Sequence, residues 1–375
     1  MRVPRIALAV AVSVMLVLAA CQTGPGGSVE LTSVRLQLQW FPQAQFAGYY
    51  AAQELGYYEA EGLDVEIVPG SAEIAPQVVG SAEDGPEFTL AWVPKVLQAR
   101  ESEAGSDLVN IAQIFQRAGT LSVSWKDSGI TSPADFAGKK VGAWGFGNEL
   151  EVIASARKEG LEPGVDFTQV TQGFSMAELL AAADGCAEAD TDCVDVAEAM
   201  IYNEYAQLLE TINPDTGELY TPDDINVIDY NEVGTAMLQD AVWARAAWLA
   251  EGDNEDVATK FLRASFKGWI YCRDNAAKCE EFVVDNGSTL GAGHQKWMMN
   301  EINALIWPSP DGIGMLSADA WAQTVDTALE ADIIAAEPPD EAFRTDLAEA
   351  ALDGLEDATG DDFEKAVVEV TEGGE

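Results

Sequence analysis

VRLQLQWFPQAQFAGYYAAQELGYYEAEGLDVEIVPG, residues 34–70, is the stretch whose reading decides the fold. Val34, Leu36 and Leu38 alternate with Arg35, Gln37 and Gln39, the period-two pattern of a strand with one buried face. Pro42 ends regular pairing, since proline lacks the N–H a ladder needs. A helix is expected to run through Leu55, with Gly56 as its stop. Leu63, Val65 and Ile67 then alternate as a second strand. Strand, loop, helix, strand is a βαβ unit, whose two strands lie parallel. Its first loop is loaded with rings and side-chain amides. In an open α/β sheet, ligands collect at the carboxyl ends of strands, in a loop of this kind.

The segment WFPQAQFAGYYAAQELGYYEAEGLDVEI resembles the N-terminal signature of the NMT1/THI5-like family of ABC-transporter substrate-binding proteins. VGAWGFGNELE (141–151), AMIYNEYAQ (199–207) and GTAMLQDAVWA (234–244) continue the resemblance, which spans roughly 34 to 310. It implies an α/β, bilobed periplasmic-binding-protein type II fold with a hinge between the lobes. It implies capture of a thiamine pyrimidine precursor, riboflavin or another small planar solute. The partners it implies are an ABC permease and its ATPase. The opening motif is specific for the family and only weakly so for the ligand.

The rest of the chain fits two lobes, because 375 residues exceed one typical core. Lobe I is expected over 34–126 and 236–375, the latter ending in a helical, acidic region, and lobe II over 127–235. Phe88–Trp92 reads as a buried strand closed by Pro94, and Asn110–Phe115 as another, with Leu121–Trp125 as its neighbour in lobe I. Ser132-Pro133 is a helix start with a hydroxyl cap. Ser175–Asp184 reads as a helix, and Pro214–Gly217 as a turn. From Ala244 the pattern is helical over Ala244–Glu251, Glu255–Tyr271, Ala276–Asp285 and His294–Ile306. Thr371–Glu375 is expected to fray.

The first twenty residues read as a signal: Arg2 and Arg5, an apolar run from Ile6 to Leu18, then a lipobox at Leu18-Ala19-Ala20-Cys21. The mature chain is expected to begin at a lipidated Cys21, with a tether to Ser33, on the extracytoplasmic face of the cell membrane. The other four cysteines fall as Cys186/Cys193 and Cys272/Cys279. An exported chain permits disulfides; three connectivities are open, with the local one favoured by short loops. A structural zinc site and free thiols are the alternatives. Seven-residue spacing is not the usual zinc pattern, and His294 is the only histidine. Asp184, Asp190, Asp192 and Asp195 read as a solvated loop rather than a calcium site. No metal and no cofactor are expected.

Lys+Arg is 20 against Asp+Glu 64, a formal net charge of −44. Removing Arg2 and Arg5 with the leader makes it more negative still. That field repels nucleic acid and anionic headgroups, and argues against a highly charged anionic ligand. A monomer is expected.

A flat heteroaromatic solute needs ring faces and a few polar groups for its edge. Trp40, Phe41, Phe46 and Tyr49 offer faces, and Gln43 and Gln45 edge groups; half of these rings are core on the bland reading. Trp92 ends a strand. Trp144, Asn148 and Glu149 stand between a strand and a helix, where free N–H groups would bind an acceptor. Tyr202, Asn203 and Glu204 supply a second rim, and Asp240 is either hinge or ligand contact. The ten tryptophans and the Gln-Ala-Gln-Phe-Ala-Gly-Tyr-Tyr form favour riboflavin, with formylaminopyrimidine or hydroxymethylpyrimidine next. The family includes fungal pyrimidine synthases, which consume their own histidine and carry a cysteine-rich motif. Here the first loop has Gln45-Phe46 in place of that histidine, and no Gly-x-Ser-x-Gly, His-Glu-x-x-His or P-loop occurs. An enzyme is not expected.

Overall fold

The computed structural model describes residues 31–102, 106–183, 185–187 and 189–375. The leader, the lipobox with Cys21, the tether as far as Glu30, and Asp184 lie outside the described residues. Among the described residues, no helix is long and apolar enough to cross a membrane.

The opening unit forms as its pattern requires. Strand β1 (Thr32–Gln37) pairs in parallel with β2 (Leu63–Val68), through helix α1 (Ala47–Glu54). β1 takes in Thr32 and Ser33, expected as tether, because their ladder with Leu63 and Asp64 extends that far. β3 (Phe88–Ala91) adds on the other side of β1 and leads through Trp92 into α2 (Val93–Arg100). β4 (Leu108–Gln113) closes the sheet only by way of a late strand.

β5 (Thr120–Trp125) does not join β4. It is the centre of a second, antiparallel sheet, flanked by β8 (Ala197–Met200) and β9 (Ile225–Asp229). Adjacency in sequence had suggested a neighbour of β4. The turn at Gln116–Gly119 instead carries the chain away, fixed by Gln239 Oε1 accepting from Gly119 N at 2.7 Å. Between β5 and β8 lie β6 (Lys140–Ala143), helix α3 (Leu150–Lys158) and β7 (Thr168–Thr171), with β6 and β7 parallel. Pro133–Phe136 is a single 3₁₀ turn, with the Ser132 capping box at its start. Helical structure over Ser175–Asp184 shrinks to Ala177–Leu180.

After β8 comes a short helix, α4 (Glu204–Leu209). The chain then returns as β10 (Ala241–Arg245), antiparallel to both β3 and β4, giving the order β2-β1-β3-β10-β4. Ala244 and Arg245, read as helical, are therefore strand: all five residues of β10 are buried, so tertiary pairing overrides their alanine-rich pattern. The helices α5 (Asn254–Asp274), α6 (Ala276–Asp285) and α7 (Ala292–Ile306) follow. Later come α8 (Ala318–Glu330) and α9 (Asp346–Leu352).

The core beneath the first sheet explains part of the aromatic loop. A Cβ on Gly48 would lie 2.2 Å from the ring of Trp269, and one on Gly268 would lie 2.0 Å from the Gly48 carbonyl. Only a glycine at each place lets α1 and α5 approach this closely. Tyr49 is thereby drawn into the core, edge-on to Trp269 at 5.7 Å.

Cys186 is bonded to Cys193 and Cys272 to Cys279, the local pairings. Thr371–Glu375 does not fray. Gly374 is buried against the start of α7, and Gly373 N donates to Glu210 O at 3.0 Å. The mixed strands and covering helices make two α/β lobes of the periplasmic-binding-protein kind.

Candidate functional site

A cleft opens at the ends of β1, β3, β6, β7 and β8, with about 910 Å³ of empty space including its mouth. One wall comes from the first sheet. Gln39, Trp40, Gln43 and Gln45 leave the end of β1, the segment 71–77 follows β2 and runs into the short helix Pro76–Ser81, and Trp92 and Lys95 open α2. The other wall comes from the second lobe: Trp144, Phe146 and Asn148 after β6, Phe174 after β7, and Met200, Tyr202, Asn203 and Glu204 after β8.

The first wall is organised by Asp240, which is 3% exposed. Its Oδ1 accepts from Gln39 Nε2 at 2.5 Å and from Trp92 Nε1 at 2.9 Å, and its Oδ2 from Gln45 Nε2 at 2.8 Å. Gln43 Nε2 then donates to Gln45 Oε1 at 2.6 Å. Burial pushes the Asp240 carboxyl up to about 6, and the donors from Gln45, Trp92 and Gln39 hold it from going higher. Asp240 is absent from the cleft lining, so it orients the lining rather than forming it.

The second wall is held through its backbone. Trp144 N donates to Glu198 Oε2 at 2.9 Å, Gly147 N to Glu149 Oε2 at 2.9 Å, and Met200 N to Glu204 Oε2 at 3.0 Å. The N–H groups of Trp144 and Gly147, expected to be open for an acceptor, are thus already taken. Residues 145–147 all have positive φ, at 75°, 58° and 84°, a tight turn that presents Phe146 with 80% of its surface exposed. Burial raises Glu198 well above the carboxylate range, and Glu204 to about 7. In both, burial disfavours the charged form.

Lys95 is the one cation among the lining residues. Its ammonium donates to Asn148 Oδ1 at 2.5 Å, and sits 4.7 Å from the centre of the Trp92 ring. Burial lowers it to about 8, opposed by Glu198, Glu149 and Asp240. The rings form a chain across the cleft. Trp40 meets Phe174 at 4.6 Å, and Phe174 lies nearly parallel to Trp144, 16° apart in plane, at 6.3 Å.

Nine of the residues singled out from sequence line this cleft: Trp40, Gln43, Gln45, Trp92, Trp144, Asn148, Tyr202, Asn203 and Glu204. Phe46 and Tyr49 do not, being 0% and 1% exposed in the core. Phe41 stands outside the lining, edge-on to Trp40 at 5.3 Å. Glu149 serves the 145–147 turn. Sequence reasoning missed Gln39, the segment 71–77, Lys95, Phe146, Phe174 and Met200. Phe174 had a weak signal, an aromatic three residues after a strand, where Trp92 and Trp144 follow theirs directly.

Residues 43–278 match the family model described as NMT1/THI5 like. The formylaminopyrimidine-binding protein of Halalkalibacterium halodurans is 26% identical over 72% of this chain and 76% of its own. The riboflavin-binding protein RibY of Chloroflexus aurantiacus is 25% identical over 65% of this chain and 63% of its own. A 4-amino-5-hydroxymethyl-2-methylpyrimidine phosphate synthase of Aspergillus parasiticus is 25% identical over 65% and 68%. Among solved structures, the periplasmic aliphatic sulphonate binding protein SsuA of Escherichia coli superimposes with a TM-score of 0.56 at 16% identity. It covers 80% of this chain and 86% of its own.

Proposed function

The chain belongs to the NMT1/THI5-like family, and on that premise we propose that it is an extracytoplasmic solute receptor of an ABC importer, capturing a planar heteroaromatic vitamin. The observation that carries this reading is the ring-lined cleft. Trp40, Trp92, Trp144, Phe146, Phe174 and Tyr202 surround one opening, with side-chain amides and a single ammonium between them. Rings of this number reward a ligand with more than one fused ring by stacking on both faces. Riboflavin is therefore the preferred ligand. Gln43, Asn148 and Asn203 would serve its carbonyl and imide edge, and Lys95 would donate to a ring acceptor.

The second reading is a thiamine pyrimidine precursor, supported by the likeness to the formylaminopyrimidine-binding protein over three quarters of that relative. A synthase is the weaker reading. The first loop carries Gln45-Phe46, and the sole histidine, His294, is 1% exposed and bound on both ring nitrogens. In our reading the lobes part at 116–119 and 235–240, where the chain crosses between the sheets, and they close on the ligand by a hinge. The closed receptor, a monomer anchored by a lipid on Cys21, docks on the permease and ATPase.

The test is protein purified from its native membrane without unfolding, followed by absorbance spectroscopy and mass spectrometry of the released solute. A non-covalent flavin spectrum supports riboflavin. A colourless protein releasing an aminopyrimidine moves the assignment to the second reading. A bound aliphatic sulfonate overturns both.

A further inference from the structure

His294 is the only histidine of the chain and no ligand contact requires it, yet it is buried at the join of three segments. Its Nδ1 lies 3.0 Å from both carboxylate oxygens of Glu210, itself 6% exposed. Its Nε2 lies 3.0 Å from Asn203 Oδ1. One ring nitrogen faces the Glu210 carboxylate and the other the Asn203 amide oxygen, so the ring ties the two side chains together. Asn203 Oδ1 also accepts from Gln207 Nε2 at 3.0 Å, and this leaves Nδ2 to donate to Glu204 Oε1 at 2.9 Å. Asn203 and Glu204 both line the cleft.

The same helix face holds the rest of the loop, since Trp297 Nε1 donates to Ile201 O at 3.0 Å. The chain's last turn covers the pair. A Cβ on Gly374 would meet His294 Cβ at 2.8 Å and Glu210 Oε2 at 3.0 Å. The last turn's backbone thus lies against both groups, and both are shut from bulk solvent.

We infer that His294 is a positioning residue for the cleft: held by Glu210, it fixes the Asn203 amide, and through it the Glu204 carboxyl, both of which line the cleft. The inference rests on the reading that this cleft binds a ligand. A side chain with no ring nitrogen toward Asn203 Oδ1 frees the amide to rotate, and the Glu204 carboxyl then loses its Nδ2 donor.

Two measurements on the full chain test this. With ¹⁵N-labelled histidine there is one imidazole to observe. Its Nε2 signal should move in Glu204→Gln, which reaches the ring through Asn203, and an unmoved signal overturns the inference. Calorimetry with riboflavin and with formylaminopyrimidine as probes is then compared for wild type, His294→Leu and His294→Gln, alongside thermal unfolding. His294→Leu should weaken whichever probe binds by roughly tenfold, the scale of one lost buried hydrogen bond. His294→Gln, which keeps a donor toward Asn203, should recover to within about threefold. A folded His294→Leu protein that binds as wild type, with only its melting temperature lowered, reduces His294 to a structural role and overturns the inference. Should His294→Leu fail to fold, the Gln variant and the spectrum still decide. Wild-type protein that binds neither probe counts against the ligand assignment, and the spectrum then decides by itself whether His294 sets the amide.

Discussion

The two walls of the cleft are both braced by carboxyls, buried except for the half-buried Glu149, but in different ways. On the first wall Asp240 holds side chains: two glutamine amides and an indole N–H, two of the three belonging to the ring-and-amide loop. On the second wall Glu198, Glu149 and Glu204 hold backbone N–H groups. A carboxyl that grips side chains sets the shape of the binding surface itself. A carboxyl that grips backbone sets the turn on which the surface stands. Loss of the first should therefore damage recognition most, and loss of a brace on the second should be felt less.

The largest effect is expected at Asp240. Asp240→Ala leaves three donors buried without an acceptor, and should cost roughly 3–5 kcal/mol of stability and nearly all ligand binding. Chemical denaturation and calorimetry read both. If affinity survives, the first wall is not organised by this carboxyl. Trp40→Ala comes next. It removes the ring that spans to Phe174, and binding should weaken by roughly tenfold with little change in stability.

Acidity sharpens the comparison. Asp240 is pushed up to about 6 and Glu204 to about 7 by burial. Glu151, which accepts from Met237 N and Gln239 Nε2 at the return crossing, is likewise raised to about 7. Each folded value lies above the unfolded one, so between about pH 4 and 7 the folded state binds more protons. Stability is then full below the unfolded values and falls as pH rises through the folded ones. The melting temperature should drop between pH 5 and pH 8. Relief of the net charge of −44 acts in the same direction, so Glu151→Gln serves as the control. It should flatten the slope, and an unchanged slope would show that the buried carboxyls are not its source.

The smallest effect is expected at Glu198. Burial raises its carboxyl well above the usual range and favours the neutral form, and glutamine reproduces its shape and its acceptor for Trp144 N. Glu198→Gln should change stability by less than about 1 kcal/mol and affinity by no more than about twofold. A large loss would mean that the charge on the second wall matters, and would erase the contrast between the walls.

Trp40 and Tyr49 show what the sequence could and could not reveal. Both rings lie in one motif, and nothing within nine residues separates them. What separates them is Gly268 and Trp269, more than two hundred positions away, whose approach to Gly48 draws Tyr49 inward. The first βαβ unit was legible because its pattern is local. The move of β5 into the second sheet was not, because it depends on Gln239 capturing the Gly119 N–H. Lys95 was hidden for a like reason. A lysine in a helix's first turn reads as solvated, and only Asn148 and Trp92 make it part of the cleft. Phe174 follows a strand, β7, whose residues are mostly exposed, so its one signal, an aromatic soon after a strand, was a weak one.

The account turns on whether the cleft takes a planar heteroaromatic solute. The most direct measurement is a calorimetric titration of ligand-stripped, refolded protein with riboflavin and with formylaminopyrimidine, with flavin fluorescence followed in parallel. The account predicts sub-micromolar binding of riboflavin, at one site, with its fluorescence quenched by the surrounding rings. Tight pyrimidine binding without a flavin response would keep the receptor and change its vitamin. No heat and no quenching with either solute would contradict the account.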